Sequence, residues 1–189
     1  MKDQFRYLLS IVLLGSIILF AASCSDDDVE NPDDDNEEEL ITSLLLTFTD
    51  NQGTEVFAFR DPDGDGGNAP TQQDEITLTA NTMYTLTVSF LNESETPVED
   101  VTIEIREEDD EHQVFFTATP GSTLPLTVAY GDSDDNGNPI GLINTATTAD
   151  AGTGSLRVTL KHQPNIKTAN TGIGDGDTDI EVDFAVVVN

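Results

Sequence analysis

The chain has 189 residues, 37 of them Asp or Glu and seven Lys or Arg, for a formal net charge of −30 at neutral pH. So negative a chain repels nucleic acid and anionic lipid surfaces and attracts cations, which would relieve its self-repulsion. A single cysteine and the absence of tryptophan exclude a disulfide scaffold and a Cys-rich zinc knot, and leave little aromatic surface for a sugar platform.

Lys2 and Arg6 precede sixteen mostly apolar residues, Tyr7 to Ala22, that end in Ala21-Ala22-Ser23-Cys24. A positive start, a short apolar run and small residues before a cleavage point read as a signal peptide over residues 1–23. Ser10, Gly15 and Ser16 interrupt the run, which falls short of the ~20 apolar residues of a permanent span. The small-small-Cys ending resembles the lipobox of bacterial lipoproteins, with Ala21 where leucine is usual. That resemblance implies that Cys24 is acylated, starts the mature chain and anchors it in a lipid bilayer, where several acyl chains hold a protein firmly.

Residues 24–39 form the next segment, and ten of the fifteen residues from Ser25 to Glu39 are acidic. Such a block repels itself and has no apolar area to bury, so it reads as an extended, disordered tether. Ser25-Asp26-Asp27-Asp28 is similar to the acidic export tag of Bacteroidota surface lipoproteins, which implies display on the cell surface rather than on the periplasmic face of the outer membrane. Loss of residues 1–23 leaves 36 acidic against five basic side chains.

Residues 40–189 are enough for one domain with a continuous core. Alternation of period two predicts strands at Ile41–Thr49, Glu55–Arg60, Glu75–Thr79, Tyr84–Phe90, Val101–Arg106, His112–Ala118, Leu124–Tyr130, Gly141–Thr147, Leu156–Lys161 and Ile180–Val188. Asn-Gly, Asp-Gly and Pro signals punctuate them, so the expected fold is all-β, an antiparallel immunoglobulin-like β-sandwich, with a β-barrel as the alternative.

Three acidic loops are candidates for calcium. Asp61, Asp63 and Asp65 stand at alternate positions before Gly66, like the first half of an EF-hand loop, where alternate carboxylates converge on one ion. The twelfth position is Gln72 and no helical pattern flanks the loop, so it is not an EF-hand. Asp132, Asp134 and Asn136 repeat the spacing before Gly137, and Asp175, Asp177 and Asp179 repeat it a third time. The competing reading is that Asp, Asn and Gly are simply the residues that turns prefer.

The two histidines are the transition-metal alternative, with Zn2+ as the ion. His112 shares parity with Val114 and Phe116, and His162 with Leu160 and Val158, so both rings belong to the end of an apolar face. His112 also closes the acidic run Glu107-Glu108-Asp109-Asp110-Glu111, which sets carboxylates beside an imidazole. The competing reading is packing. The two strands must be neighbours with both rings at one rim for the zinc reading to stand.

The lipobox with its acids, the segment Asp61 to Pro70, Asp110-Glu111-His112-Gln113, Gly137-Asn138-Pro139-Ile140-Gly141-Leu142 and Lys161-His162-Gln163-Pro164 together resemble small Bacteroidota lipoproteins that accompany TonB-dependent outer-membrane receptors. This implies an accessory role in nutrient capture, with a metal ion or metal complex as the cargo and such a receptor as partner. No Gly-x-Ser-x-Gly elbow, Walker loop or His-Glu-x-x-His occurs, so a non-enzymatic binding protein is expected. A structural or adhesive sandwich stiffened by calcium is the alternative, and a hydrolase using acidic loops ranks third.

Overall fold

The computed structural model describes residues 40–64 and 67–189. The expected signal peptide, Cys24 with its expected acylation, the expected acidic tether and Asp65 lie outside the described residues. Ten strands are described in chain order: β1 Ser43–Thr49, β2 Thr54–Arg60, β3 Gln72–Gln73, β4 Ile76–Leu78, β5 Met83–Leu91, β6 His112–Ala118, β7 Leu126–Tyr130, β8 Ile143–Thr148, β9 Gly152–His162 and β10 Asp177–Val188. One helix, α1 over Val101–Glu107, stands between β5 and β6. Among the described residues no helix is long and apolar enough to cross a membrane.

The strands make a six-stranded sheet in the order β3-β2-β1-β5-β8-β7 and a four-stranded sheet in the order β4-β10-β9-β6. The two sheets stay separate, so the fold is a β-sandwich and the barrel alternative is set aside. Every pairing is antiparallel except β4 with β10, which run parallel. Alternation builds the core. Leu44, Leu46 and Phe48 of β1 and Leu86, Val88 and Phe90 of β5 join Leu156, Val158 and Leu160 of β9 and Val182, Phe184 and Val186 of β10 in one buried cluster. Threonines fill the other parity because a β-branched side chain suits a pleated surface at either face.

Residues 101–106, expected to be a strand, are helical. Val101 and Ile105 are buried, whereas Ile103, which alternation assigned to the same face, is 54% exposed. Val101 and Ile105 are one helical turn apart, the spacing of a single apolar stripe. Asp100 settles the choice locally, since its Oδ1 accepts from the Thr102 N–H at 3.2 Å and caps the first turn. The Thr102 hydroxyl donates to the Phe90 carbonyl and accepts the Phe90 N–H, fastening the helix to β5.

On the other face of the four-stranded sheet, Arg157 lies opposite Asp183 in register. Its Nε donates to Asp183 Oδ1 at 2.7 Å and its Nη2 to Oδ2 at 2.8 Å, while Nη1 lies 2.6 Å from Glu181 Oε1. The Arg157 fork, aided by the Thr119 hydroxyl, holds the Asp183 carboxyl below its ordinary range. A carboxyl depressed in the folded state stabilises the fold above its unfolded value, about 3.9, and that contribution is lost as pH falls through the lower folded value. Thermal melts between neutral pH and pH 2 should therefore show Asp183→Asn losing less stability on acidification than the wild type. The difference is modest because the pair is partly exposed.

Candidate metal centre

The site grows from one register position. β6 starts at His112 and β9 ends at His162, and the two residues face each other directly in the antiparallel ladder. Directly opposed residues project to the same face of a sheet. Their rings stack with centroids 4.5 Å apart and 3° between planes. His112 is wholly buried and His162 is 3% exposed, so both end the apolar face as their parity predicted. The condition set for the zinc reading, neighbouring strands with both rings at one rim, is met.

The carboxylates arrive from the acidic run. Glu108 caps the C-terminus of α1, its N–H donating to the Glu104 carbonyl at 2.9 Å. The Glu108 carbonyl then accepts the N–H groups of Glu111 at 2.9 Å and His112 at 3.2 Å, so the chain turns from helix into β6 within four residues. That tight turn brings the Glu108 side chain over the histidine four positions on: Oε2 is 3.8 Å from His112 Nδ1, which also lies 3.2 Å from the Glu108 carbonyl oxygen. Glu108, His112 and His162 each offer one ligand atom, and the three atoms lie within 4.8 Å of one another. Glu111 Oε2 is 3.4 Å from His162 Nε2.

Two further residues shape the site. In β10 the register with β9 slips between Thr178 and Ile180, a bulge with Asp179 as its extra residue. The Asp179 side chain is fully buried and its Oδ2 stands 4.0 Å from His112 Nε2. Lys167 lies beneath the hairpin, its Nζ donating to the carbonyls of Asp109 and His112 and standing 3.4 Å from Asp134 Oδ2, with both side chains fully buried. Burial pulls the Lys167 ammonium below its usual range against the opposing pull of Asp134. Burial pushes the Asp134 carboxyl up, but hydrogen bonds from Asn138 and the charge of Lys167 outweigh it and leave it below the usual range.

Comparison of the chain with protein-family models, with curated proteins and with solved structures finds no match. The chemistry therefore rests on the residues themselves. Two imidazoles with carboxylates form the N/O donor set that suits zinc and its first-row neighbours, while calcium takes oxygen alone. Parallel rings carry their nitrogen lone pairs in parallel planes, so a shared ion requires one ring to turn.

The acidic loops give a different picture. Asp132, expected to ligate calcium, accepts the N–H groups of Gly141, Leu142 and Ile143 at 2.8 to 2.9 Å. Asp134 accepts from the backbone of Asn136 and Asn138 and from the Asn138 amide, and faces Lys167. Asn136 is exposed and turned into the bend by its own N–H. These donors engage the lone pairs an ion would need, so this loop is a self-bonded turn rather than a ligand cage. Asp175 caps its own loop through the Gly172 N–H, Asp177 is exposed and Asp179 faces inward, so the third alternation does not converge. In the first loop Asp61 is half-buried at the end of β2. Asp63 is exposed, and the Asn68 amide bonded to it lowers its carboxyl from the ordinary range.

Both histidines and the acidic run were legible as candidates. Glu108 was singled out within that run only once helix α1 fixed its position, and Lys167 was missed. The signal for Lys167 was its rarity, since it is one of five cations in residues 24–189.

Proposed function

We propose that the protein is a non-enzymatic lipoprotein, anchored through Cys24 in the outer membrane and displayed at the cell surface, that binds a divalent transition metal as an accessory to nutrient uptake. Glu108, His112 and His162 are the ligands, and a TonB-dependent receptor is the partner to which the cargo passes. The observation that carries the metal reading is the register pairing of His112 with His162, which stacks two buried rings within ligand reach of the Glu108 carboxylate. Packing alone would be served as well by two aliphatic side chains. Two imidazoles brought together at a rim of carboxylates supply a donor set for a shared cation once one ring turns out of the stack.

Supporting this are the lipobox resemblance, the acidic segment after Cys24 and the overall negative charge, which raises the local cation concentration. Calorimetric titration of the full-length protein with zinc, with calcium and magnesium as controls, tests it. One zinc ion per chain is expected, and His112→Ala or His162→Ala should each abolish the binding. At zinc a hundredfold above the dissociation constant, the fold should gain about 2.7 kcal/mol, visible as a higher melting temperature. Equal heats from calcium and zinc, or zinc binding retained by the His112→Ala/His162→Ala double variant, would refute the assignment.

A further inference from the structure

We infer that the outer face of the six-stranded sheet is the surface through which two copies of this chain associate, face to face about a two-fold axis. Charge sets this face apart. On β1, β5, β7 and β8 the residues of outward parity are all uncharged, and on β2 they are uncharged up to Arg60 at the strand's end, in a chain whose formal net charge is −30. The outer face of the four-stranded sheet, by contrast, carries Arg157, Glu181 and Asp183.

Register decides what the face presents. Thr54, Thr49, Thr85 and Thr145 stand opposite one another from strand to strand and make one row across β2, β1, β5 and β8. Val56, Met83 and Ile143 lie beside that row and are 53%, 67% and 46% exposed. Apolar side chains in a field emptied of charge are the compositional mark of an interface core. The paired Arg60 and Glu93 at one end and Asp50 at the other supply the polar rim.

Shape and charge name the occupant. A sheet face of short β-branched side chains is covered best by another sheet face, which packs aligned within about 30° and with the sheets about 10 Å apart. A second copy brings such a face with the same twist, and an uncharged surface is complementary to itself, as a two-fold contact requires. Over the rest of so acidic a chain, two copies would set acid against acid. With strands about 4.8 Å apart and about 3.4 Å per residue, three outward positions on each of five strands cover about 500 Å2 per copy. Standard interfaces bury about 800 Å2 per partner, so this dimer is weak and reversible.

Sedimentation equilibrium of the full-length protein in density-matched detergent tests the inference. A monomer to dimer equilibrium in the micromolar range is expected. Because the contact is uncharged while the whole copies repel, raising the ionic strength from about 0.05 M to about 0.5 M should tighten the dimer about tenfold. A contact held by opposite charges would respond the other way. Thr85→Glu and Ile143→Glu each place like charges in the contact and should abolish the dimer at an unchanged melting temperature, since both side chains are exposed. Thr77→Glu, the same added charge at an exposed position of β4 in the other sheet, should leave it intact. A chain that stays monomeric throughout, a dimer that salt loosens, or one that survives both disruptive variants overturns the inference. The zinc titration is read separately, so each proposal stands or falls without the other.

Discussion

Lys167→Met should cost the fold about 3–5 kcal/mol, the range for removing one partner of a buried ion pair. Methionine keeps the apolar stem, so packing is largely retained and the loss isolates the ammonium. Removing it strands the Asp134 carboxylate among buried atoms and takes a donor from the carbonyls of Asp109 and His112. For a domain of this size each kcal/mol shifts the melting temperature by about 2–4 °C, so a fall on the order of 10 °C is expected in a thermal melt. The carbonyl of His112 belongs to the residue that carries the site, so zinc affinity should fall too. Adding Asp134→Asn to Lys167→Met removes the stranded charge and should recover part of the stability. A double variant no more stable than Lys167→Met alone would show that the carbonyl contacts, rather than the ion pair, carry the effect.

Legibility in the sequence followed the reach of each interaction. His112 and His162 were readable because parity along a strand is local: each shares its face with aliphatic neighbours two residues away, and both proved buried. That they stack was not readable, since it depends on the pairing of strands fifty residues apart, and sequence gives no register for such a pair. Helix α1 was misread for the opposite reason. Val101, Ile103 and Ile105 satisfy a period of two as well as Val101 and Ile105 satisfy a helical turn, and over six residues the two periods cannot be told apart without weighing the Asp100 cap. The acidic loops show how far composition misleads: Asp132 has the residue type and spacing of a calcium ligand, yet its oxygens are engaged by three backbone N–H groups from residues nine to eleven positions on. Asp179 belonged to the same alternation on paper, and the bulge in β10 is what sets its side chain inward.

Gly176→Ala should damage stability and zinc binding together, whereas Gly174→Ala, two residues away, should be close to neutral. Gly176 has φ of +72°, the left-handed region, where an L residue is disfavoured by about 1–2 kcal/mol. A Cβ there would also land on the backbone carbonyl of His162 and lie 2.9 Å from Gln163 Cγ. Neither obstacle can swing aside. Gln163 is wholly buried, its N–H donating to the Glu111 carbonyl at 2.7 Å and its amide to the carbonyls of Gly172 and Asp175. Any relief must therefore move the end of β9 or the start of β10, which between them carry His162 and Asp179. Strain and backbone clash together should cost about 2–4 kcal/mol, read as a lower midpoint in urea at unchanged m. A Cβ on Gly174 meets nothing within 4 Å. The pair thus compares two alanine substitutions in the same loop, one against the backbone of His162 and Gln163 and one facing open space. If Gly176→Ala lowers stability yet binds zinc as tightly as the wild type, the geometry of His162 tolerates displacement, and Glu108 and His112 must hold most of the ion's affinity between them.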